Sequence, residues 1–421
     1  MADIIRTFGN YINKTALKKP QATQSLLLFA YRLNALSVRL GGEKKLSEAR
    51  RFAVNYINDV AVSTFAHPEN FALTSVFMPC ELLHAAGFVP MCAEMYSSYM
   101  NGTKCEQVFA EEAEAEGISE SYCSFHKIML GSAYSGVMPR PSIIVNCSTA
   151  CDANNLTFRA AEEHFGAPHF YIEVPRGESE ADIRYVADQF RELKSFIEEK
   201  TERTITDEAL KSAMLKTQNS IEALRECLNE KINRSQPNTV TSELNEIYMA
   251  HNALGSDAGE KYAKDLLSEL KGAPARHGKR IIWLQTLPIW QNPVRSLFNF
   301  NPDIQVITSD MNVSGLIDID PDNPYESMAR RLILNSFNLS GEKRIESSVK
   351  LAELLDVDGV VCFCHWGCKQ MMGLSALYKD KLEEAGFPTL ILNGDGCDRR
   401  NASDGQVATR LNAFMEMLNA Q

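Results

Sequence analysis

The spacing of hydrophobic and polar residues divides the chain into helical and alternating stretches. Residues 1–68 and 178–272 repeat apolar residues every three or four positions, which is typical of amphipathic helices. Residues 69–177 and 273–421 instead alternate short apolar runs with helical patterns. The order strand, helix, strand predicts parallel sheets, because parallel strands need a crossover connection. The pattern predicts an α/β protein with an N-terminal helical region, two α/β domains, and a helical linker or cover between them.

The apolar runs that we interpret as buried strands occur in both alternating stretches. They are FALTSVFMP, SIIVNC and HFYIEVP in the first, and KRIIWLQTLP, DIQVITSD, VDGVVCF and TLILNGD in the second. Their shared arrangement predicts two domains of related architecture. In open parallel sheets, ligands bind in the crevice beyond the carboxyl ends of the strands, so we expect the site there.

Composition narrows the classes of function. The net charge of −11 argues against nucleic acid as the main partner, because phosphate binding needs a basic face. No apolar run reaches the roughly 18 residues of a membrane span. The charged N-terminus also lacks the apolar core of a signal peptide. We therefore expect a soluble cytoplasmic protein without a membrane partner.

Seven of the eleven cysteines fall at predicted strand ends, loops or helix starts, so that thiols from both domains can meet in one interdomain cleft. They are Cys80, Cys123, Cys147, Cys151, Cys364, Cys368 and Cys397. Thiolates suit iron–sulfur clusters and zinc. A structural zinc site usually uses paired C-x2-C knuckles, and this chain has none. The pattern thus favours an iron–sulfur centre, with zinc as the competing metal.

The other four cysteines, Cys92, Cys105, Cys227 and Cys362, are interpreted as small buried hydrophobic residues.

Several polar residues accompany the candidate thiols. His365 lies between two of them and is a candidate proton donor, a hydrogen-bond donor or a plain loop residue. Glu81 begins a predicted helix, where the dipole favours it, and could instead protonate a ligand in the cleft. The loop NGDGCDRRN is either solvated or a buried Asp–Arg network bracing Cys397. No phosphate-binding glycine motif occurs, so any ATP must be used by a partner.

Taken together, five segments resemble the 2-hydroxyacyl-CoA dehydratase / benzoyl-CoA reductase family, and most closely its double-cubane-cluster branch. The segments are PCELLHAAGFVP, SYCSFHKIMLG, CDANN, DGVVCFCHWGCKQ and GDGCDRRNASDGQVATRLNAFMEML. The resemblance covers the chain from about residue 70 onward. It implies two Rossmann-like or flavodoxin-like domains with a cluster between them.

The resemblance also implies a ligand set. In ordinary dehydratase subunits three cysteines hold a [4Fe–4S] cluster, and the matching positions are Cys80, Cys123 and Cys364. The additional thiols are what a second cubane needs, which implies an [8Fe–9S] double-cubane cluster on six thiolates. The predicted six are Cys80, Cys123, Cys151, Cys364, Cys368 and Cys397, with Cys147 as the alternative to Cys151.

The resulting functional prediction is a low-potential reductase. A separate ATP-hydrolysing Fe–S partner would inject electrons, and a small substrate would be reduced at the cluster with protons from His365 or Glu81. The first alternative is a 2-hydroxyacyl-CoA dehydratase subunit with a [4Fe–4S] cluster. The second is an Fe–S electron carrier without catalytic activity. The branch resemblance implies a homodimer and an anaerobic setting.

Overall fold

The protein contains two parallel four-stranded sheets wrapped by helices, as a computed structural model that describes residues 2–420 shows. Side chains are described for residues 4–420. The predicted α/β class with two parallel-sheet units is confirmed. Three helices come first: α1 (Ala2–Thr15), α2 (Pro20–Gly41) and α3 (Glu48–Ala66).

The first sheet is formed by short strands that are almost entirely buried. Its strands are β1 (Phe71–Thr74), β2 (Val89–Cys92), β3 (Ile143–Cys147) and β4 (His169–Ile172). The helices between them are α4 (Glu81–Ala85), α5 (Ala93–Gly102), α6 (Glu106–Ala115), α7 (Ser124–Tyr134) and α8 (Asp152–Phe165). Strand β2 was not predicted from the sequence.

Four long helices follow, as the amphipathic pattern predicted. They are α9 (Glu180–Thr201), α10 (Asp207–Asn233), α11 (Val240–His251) and α12 (Asp257–Lys271). Each begins at a serine or threonine whose side chain accepts a hydrogen bond from the first turn, which satisfies one of the free backbone N–H groups there.

The second sheet repeats the arrangement of the first. Its strands are β5 (Lys279–Leu284), β6 (Ile304–Ser309), β7 (Gly359–His365) and β8 (Thr389–Gly394). Its helices are α13 (Asn292–Phe298), α14 (Asp310–Val313), α15 (Pro324–Ile333), α16 (Gly341–Leu355), α17 (Lys369–Glu384) and α18 (Asp404–Asn419).

Both sheets have the same strand order. The orders are β2-β1-β3-β4 and β6-β5-β7-β8, with every pairing parallel. The direction of winding therefore changes between β1 and β3 in one sheet and between β5 and β7 in the other. A crevice opens at such a switch point, beyond the carboxyl ends of the two strands.

The larger of two apolar cores runs through both sheet units and the helices around them. A smaller second core lies between the second sheet and helices α16 and α17. Because the main core is shared, the division at residues 68, 177 and 272 stays a prediction. Within residues 2–420, no helix combines the length and apolar character needed to cross a bilayer.

Candidate functional site

A cavity of about 1070 Å³ opens where the switch points of the two sheets face each other. Residues in the segments after four central strands line it: Val76 after β1, Ala150 after β3, Gln285 after β5 and Gly367 after β7. The cavity extends outward along apolar side chains of α1, α2 and α3. The crevice predicted beyond the carboxyl ends of the strands is thus present, and both sheet units contribute to its wall.

Three of the predicted thiols, Cys123, Cys151 and Cys368, line this cavity. Each occupies the position just before a helix: Cys123 before α7, Cys151 before α8 and Cys368 before α17. Burial raises the pKa of Cys123, and the neighbouring Cys151 and Cys368 thiols raise it further. Three thiols from both sheet units therefore lie together beside the positive ends of three helices, which favour anionic groups.

Gly367 allows the loop after β7 of the second unit to pack directly against the start of α7 in the first unit. A Cβ atom at Gly367 would lie 2.3 Å from the Cα of Cys123 and 2.5 Å from its backbone nitrogen. Backbone atoms cannot rotate away as a flexible side chain can. The loop after β7 therefore reaches the start of α7 only because residue 367 has no side chain.

His365 is held in one tautomer. Its Nδ1 accepts a hydrogen bond from the backbone N–H of Gly396 (3.1 Å), and its Nε2 lies 3.3 Å from the sulfur of Cys123. With Nδ1 acting as acceptor, the neutral ring carries its proton on Nε2 and donates it to the sulfur. Burial lowers the pKa of His365, which keeps the ring neutral.

The loop around Cys397 is the predicted buried network rather than a solvated segment. Asp395 Oδ1 accepts the backbone N–H groups of Cys397 and Asp398, both at 2.8 Å, and the hydroxyl of Ser124. Burial raises the pKa of Asp395, but the nearby His365 and the hydrogen bonds from Asn401, Asp398 and Ser124 together hold it below its usual value. The Arg400 side chain pairs with Asp398 within the loop, and the Ser124 hydroxyl joins the loop to the start of α7.

Glu94 and His126 form a polar corner of the cavity wall that sequence reasoning missed as a site. His126 Nε2 lies 3.5 Å from the sulfur of Cys151 and 3.7 Å from Glu94 Oε1. Glu94 Oε2 and His126 Nδ1 are buried without a hydrogen-bond partner. Burial raises the pKa of Glu94 to about 7 and lowers that of His126 to about 3. Glu94 lies in the first turn of α5, just beyond β2, so it could have been found only by predicting that strand.

The other predicted thiols lie around this group. The Cys397 thiol donates to the carbonyl of Ser97 (3.3 Å), and its pKa is raised by burial and, to a lesser extent, by the nearby Cys123. Cys80 and Cys147 are neighbours behind the wall, where burial raises their pKa values to about 12 and about 11. None of these three lines the cavity among the described residues.

Cys364 points away from the cavity. It lies inside β7, and its side chain belongs to the second core with Cys362, under α16 and α17. A hydrogen bond from the Cys362 thiol lowers the pKa of Cys364. Of the four cysteines interpreted as hydrophobic residues, Cys92 lines the cavity, whereas Cys362 lies in this core.

Glu81 is buried at the junction of three segments rather than in the cavity. Its carboxylate pairs with Arg331 and accepts a hydrogen bond from Thr217 at 2.9 Å. This contact joins α4 to α10 and α15. The assignment of Glu81 as a proton donor stays a prediction, and its position favours a structural role.

The described residues contain no group of three or more His, Cys, Asp or Glu side chains arranged for a single metal ion. A cluster of several iron and sulfide ions is wider than one ion, so its thiolates need not converge on one point. Three cysteine thiols on an open cavity wall, backed by helix N-termini, fit such an anionic cluster.

Comparisons with known proteins identify a family to which the chain is similar. A family model described as the D-component of 2-hydroxyglutaryl-CoA dehydratase matches residues 75–418. This range begins directly after β1 and contains the other seven strands and all seven candidate cysteines.

Three curated relatives share about a fifth of their residues with the chain. The lactoyl-CoA dehydratase alpha subunit of Anaerotignum propionicum is 22% identical over 377 residues, 81% of this chain and 89% of that protein. The (R)-phenyllactyl-CoA dehydratase alpha subunit of Clostridium sporogenes is 21% identical over 404 residues, 90% and 97% of the two chains. The (R)-2-hydroxyglutaryl-CoA dehydratase alpha subunit of Acidaminococcus fermentans is 21% identical over 300 residues, 67% and 61% of the two chains.

Proposed function

Because the chain belongs to the family of the 2-hydroxyglutaryl-CoA dehydratase D-component, we propose that it is a component of a 2-hydroxyacyl-CoA dehydratase. The observation that carries this proposal is the group of Cys123, Cys151 and Cys368 on the wall of one large cavity. These three thiolates would hold a [4Fe–4S] cluster, and the cavity beside them is large enough for a thioester. The relatives, all named as dehydratase subunits, support the same reading.

The bound cluster would supply one-electron chemistry that makes loss of water from the substrate feasible. The chain's own residues supply the rest. His365 donates a hydrogen bond to the sulfur of Cys123, and Gln285 donates one to the sulfur of Cys368 at 3.2 Å. Glu94, whose pKa near 7 lets it hold or release a proton at neutral pH, faces the cavity beside Cys151. The apolar walls exclude water from the reacting end of the substrate.

An ATP-hydrolysing Fe–S activator is part of the proposal. This chain has no phosphate-binding glycine motif, which is compatible with nucleotide hydrolysis on a separate protein. A reducing, oxygen-poor cytoplasm remains the predicted compartment, because eleven free thiols suit it. The homodimer also stays a prediction.

The second candidate function is the ATP-driven reductase with a double-cubane cluster. The nearness of Cys397 to Cys123, with Cys80 and Cys147 behind the wall, favours it because a larger cluster needs more thiolates. A carrier that only transfers electrons would not need so large a cavity.

Iron loading tests the proposal directly. Anaerobic reconstitution, with iron and sulfide counts and electron paramagnetic resonance, should give about four irons per chain; about eight would support the double-cubane reading. Cys123→Ala, Cys151→Ala and Cys368→Ala should each lose most of the iron. Cys227→Ala, a buried thiol inside α10, is the matched control and should load normally.

Activity is the second arm of this test. Loaded protein, activator, ATP and a 2-hydroxyacyl-CoA should produce the unsaturated thioester. Full iron retention by all three variants, or no turnover of any 2-hydroxyacyl-CoA, would contradict the proposal.

A further inference from the structure

No buried lysine or arginine of the described residues lines the cavity, so it offers a carboxylate no buried cation. Among the described residues, the charged side chains lining the cavity are Glu94, Asp152 and Lys369. Lys369 is exposed to solvent at the start of α17. Two carboxyl groups and one solvated lysine give a second negative charge on the substrate no buried lysine or arginine with which to pair.

Two aromatic side chains, one from each sheet unit, form an apolar section of the wall. Phe77 follows β1 and Phe337 follows α15, and their ring centroids are 5.0 Å apart. Both rings are buried. They offer a planar or aliphatic group a dry contact surface that connects the two units.

Phe337 also covers a cation. The guanidinium carbon of Arg344 lies 4.0 Å from the centroid of the Phe337 ring, and Arg344 Nη2 is 3.9 Å from Asp310. Arg344 is buried and, unlike Phe337, does not line the cavity. The ring therefore separates a charge that could pair with a carboxylate from the space a substrate would occupy.

We propose that the site takes coenzyme A thioesters whose acyl group is apolar, aromatic or aliphatic, rather than dicarboxylic, and that Phe337 determines this specificity by covering Arg344. The inference rests on the proposed function. An apolar acyl group gains free energy by burial against Phe77 and Phe337. A second carboxylate would lose its water and meet Glu94 instead of a cation, which is costly.

Binding of unreactive thioesters tests the inference without requiring turnover. Isothermal titration of anaerobically prepared, iron-loaded protein would compare 3-phenylpropanoyl-CoA, glutaryl-CoA and free coenzyme A. We expect glutaryl-CoA to bind about tenfold or more weakly than 3-phenylpropanoyl-CoA, because its free carboxylate stays unpaired. Equal or tighter binding of glutaryl-CoA would overturn the inference and leave the proposed function standing.

Variants at the covering ring sharpen the test. Phe337→Ala should expose Arg344 and shift the ratio of the two dissociation constants toward glutaryl-CoA by about tenfold. Phe337→Leu, which keeps an apolar cover, is the matched control and should leave the ratio near that of the native protein. Adding Arg344→Gln to Phe337→Ala should cancel the shift.

Comparing the ratio within each variant, alongside its iron content and melting temperature, separates specificity from poor folding. An unchanged ratio in well-folded Phe337→Ala would overturn the role of Phe337. If neither thioester binds more tightly than free coenzyme A, the proposed function fails, and this inference fails with it.

Discussion

His365 is the residue whose chemistry is most constrained by its neighbours. The backbone N–H of Gly396 occupies Nδ1, so Nε2 donates to the sulfur of Cys123. Hydrogen bonds to cluster sulfurs stabilise the reduced, more negative state and thereby raise the reduction potential. On the proposed function, His365 is a positioning residue that acts through Cys123.

His365→Phe should therefore lower the reduction potential of the loaded protein. A redox titration followed by electron paramagnetic resonance measures it, and His365→Gln, which can still donate, should largely restore the native value. Trp366→Phe, at a half-exposed neighbouring position, is the control. An unchanged reduction potential in His365→Phe would show that the hydrogen bond from His365 to the Cys123 sulfur does not tune the cluster.

Glu94 gives the iron-free protein a measurable pH dependence. Its pKa is raised from 4.5 to about 7, so the native state holds this proton more tightly than the unfolded chain does. The stability from this proton is complete below about pH 4.5 and is lost as the pH rises through about 7.

Glu94→Gln cannot ionise, so it should gain stability over the native protein as the pH rises from 5 to 8. We expect a difference of about 2 kcal/mol, discounted because the side chain is 22% exposed to the cavity. Urea unfolding at several pH values measures the free energy. A constant difference between the two proteins would show that the Glu94 carboxyl ionises normally.

At the scale of the elements, the absence of a side chain at Gly367 allows the loop after β7 to place Cys368 near Cys123. Gly367→Ala brings a methyl group into the backbone of α7 and should destabilise the iron-free protein by about 1–3 kcal/mol. It should also weaken retention of iron. Gly373→Ala is the matched control, because it lies in α17 with open space around it and should be neutral or slightly stabilising.

Urea unfolding and iron content report on both glycine variants. If Gly367→Ala behaves as Gly373→Ala does, the close approach of the two units does not limit the site.

The elements also show what the sequence could predict. Long amphipathic helices and apolar strands follow from spacing alone, and the predicted position of thiols after strand ends was correct for Cys151 and Cys368. Strand β2 was missed because it has only four residues and contains Pro90, which an edge strand tolerates since its outer side needs no backbone donor.

The orientation of the Cys364 side chain could not be predicted because the sequence pattern placed the end of β7 too early. The pattern ended β7 near Val361 to Phe363, whereas the strand continues to His365. Alternation then places Cys364 on the same face as Cys362 and turns His365 to the other face, toward Cys123. Whether Cys364 nevertheless binds the cluster stays a prediction.

At the scale of the whole molecule, a buried ion pair holds the units together. Glu81 from the first unit pairs with Arg331 of the second, and both side chains are almost fully buried. Removing one partner of such a pair leaves an uncompensated charge, so Glu81→Gln should cost about 3–5 kcal/mol of unfolding free energy.

Replacing both partners, as Glu81→Leu with Arg331→Met, should recover much of that loss, because no charge is left behind. Denaturant titration of the iron-free variants measures the effect. A stable Glu81→Gln with a slowed, pH-dependent turnover would instead support the proton-donor role predicted from the sequence.

The contact between Gly367 and Cys123 also bears on how the protein would respond to air. Because its proposed ligands come from both sheet units, a bound cluster would cross-link the two units. Loss of the iron through oxidation by air would remove this cross-link while each sheet stays folded. Proteolytic cleavage of the 366–368 loop between β7 and α17 should then precede any loss of secondary structure.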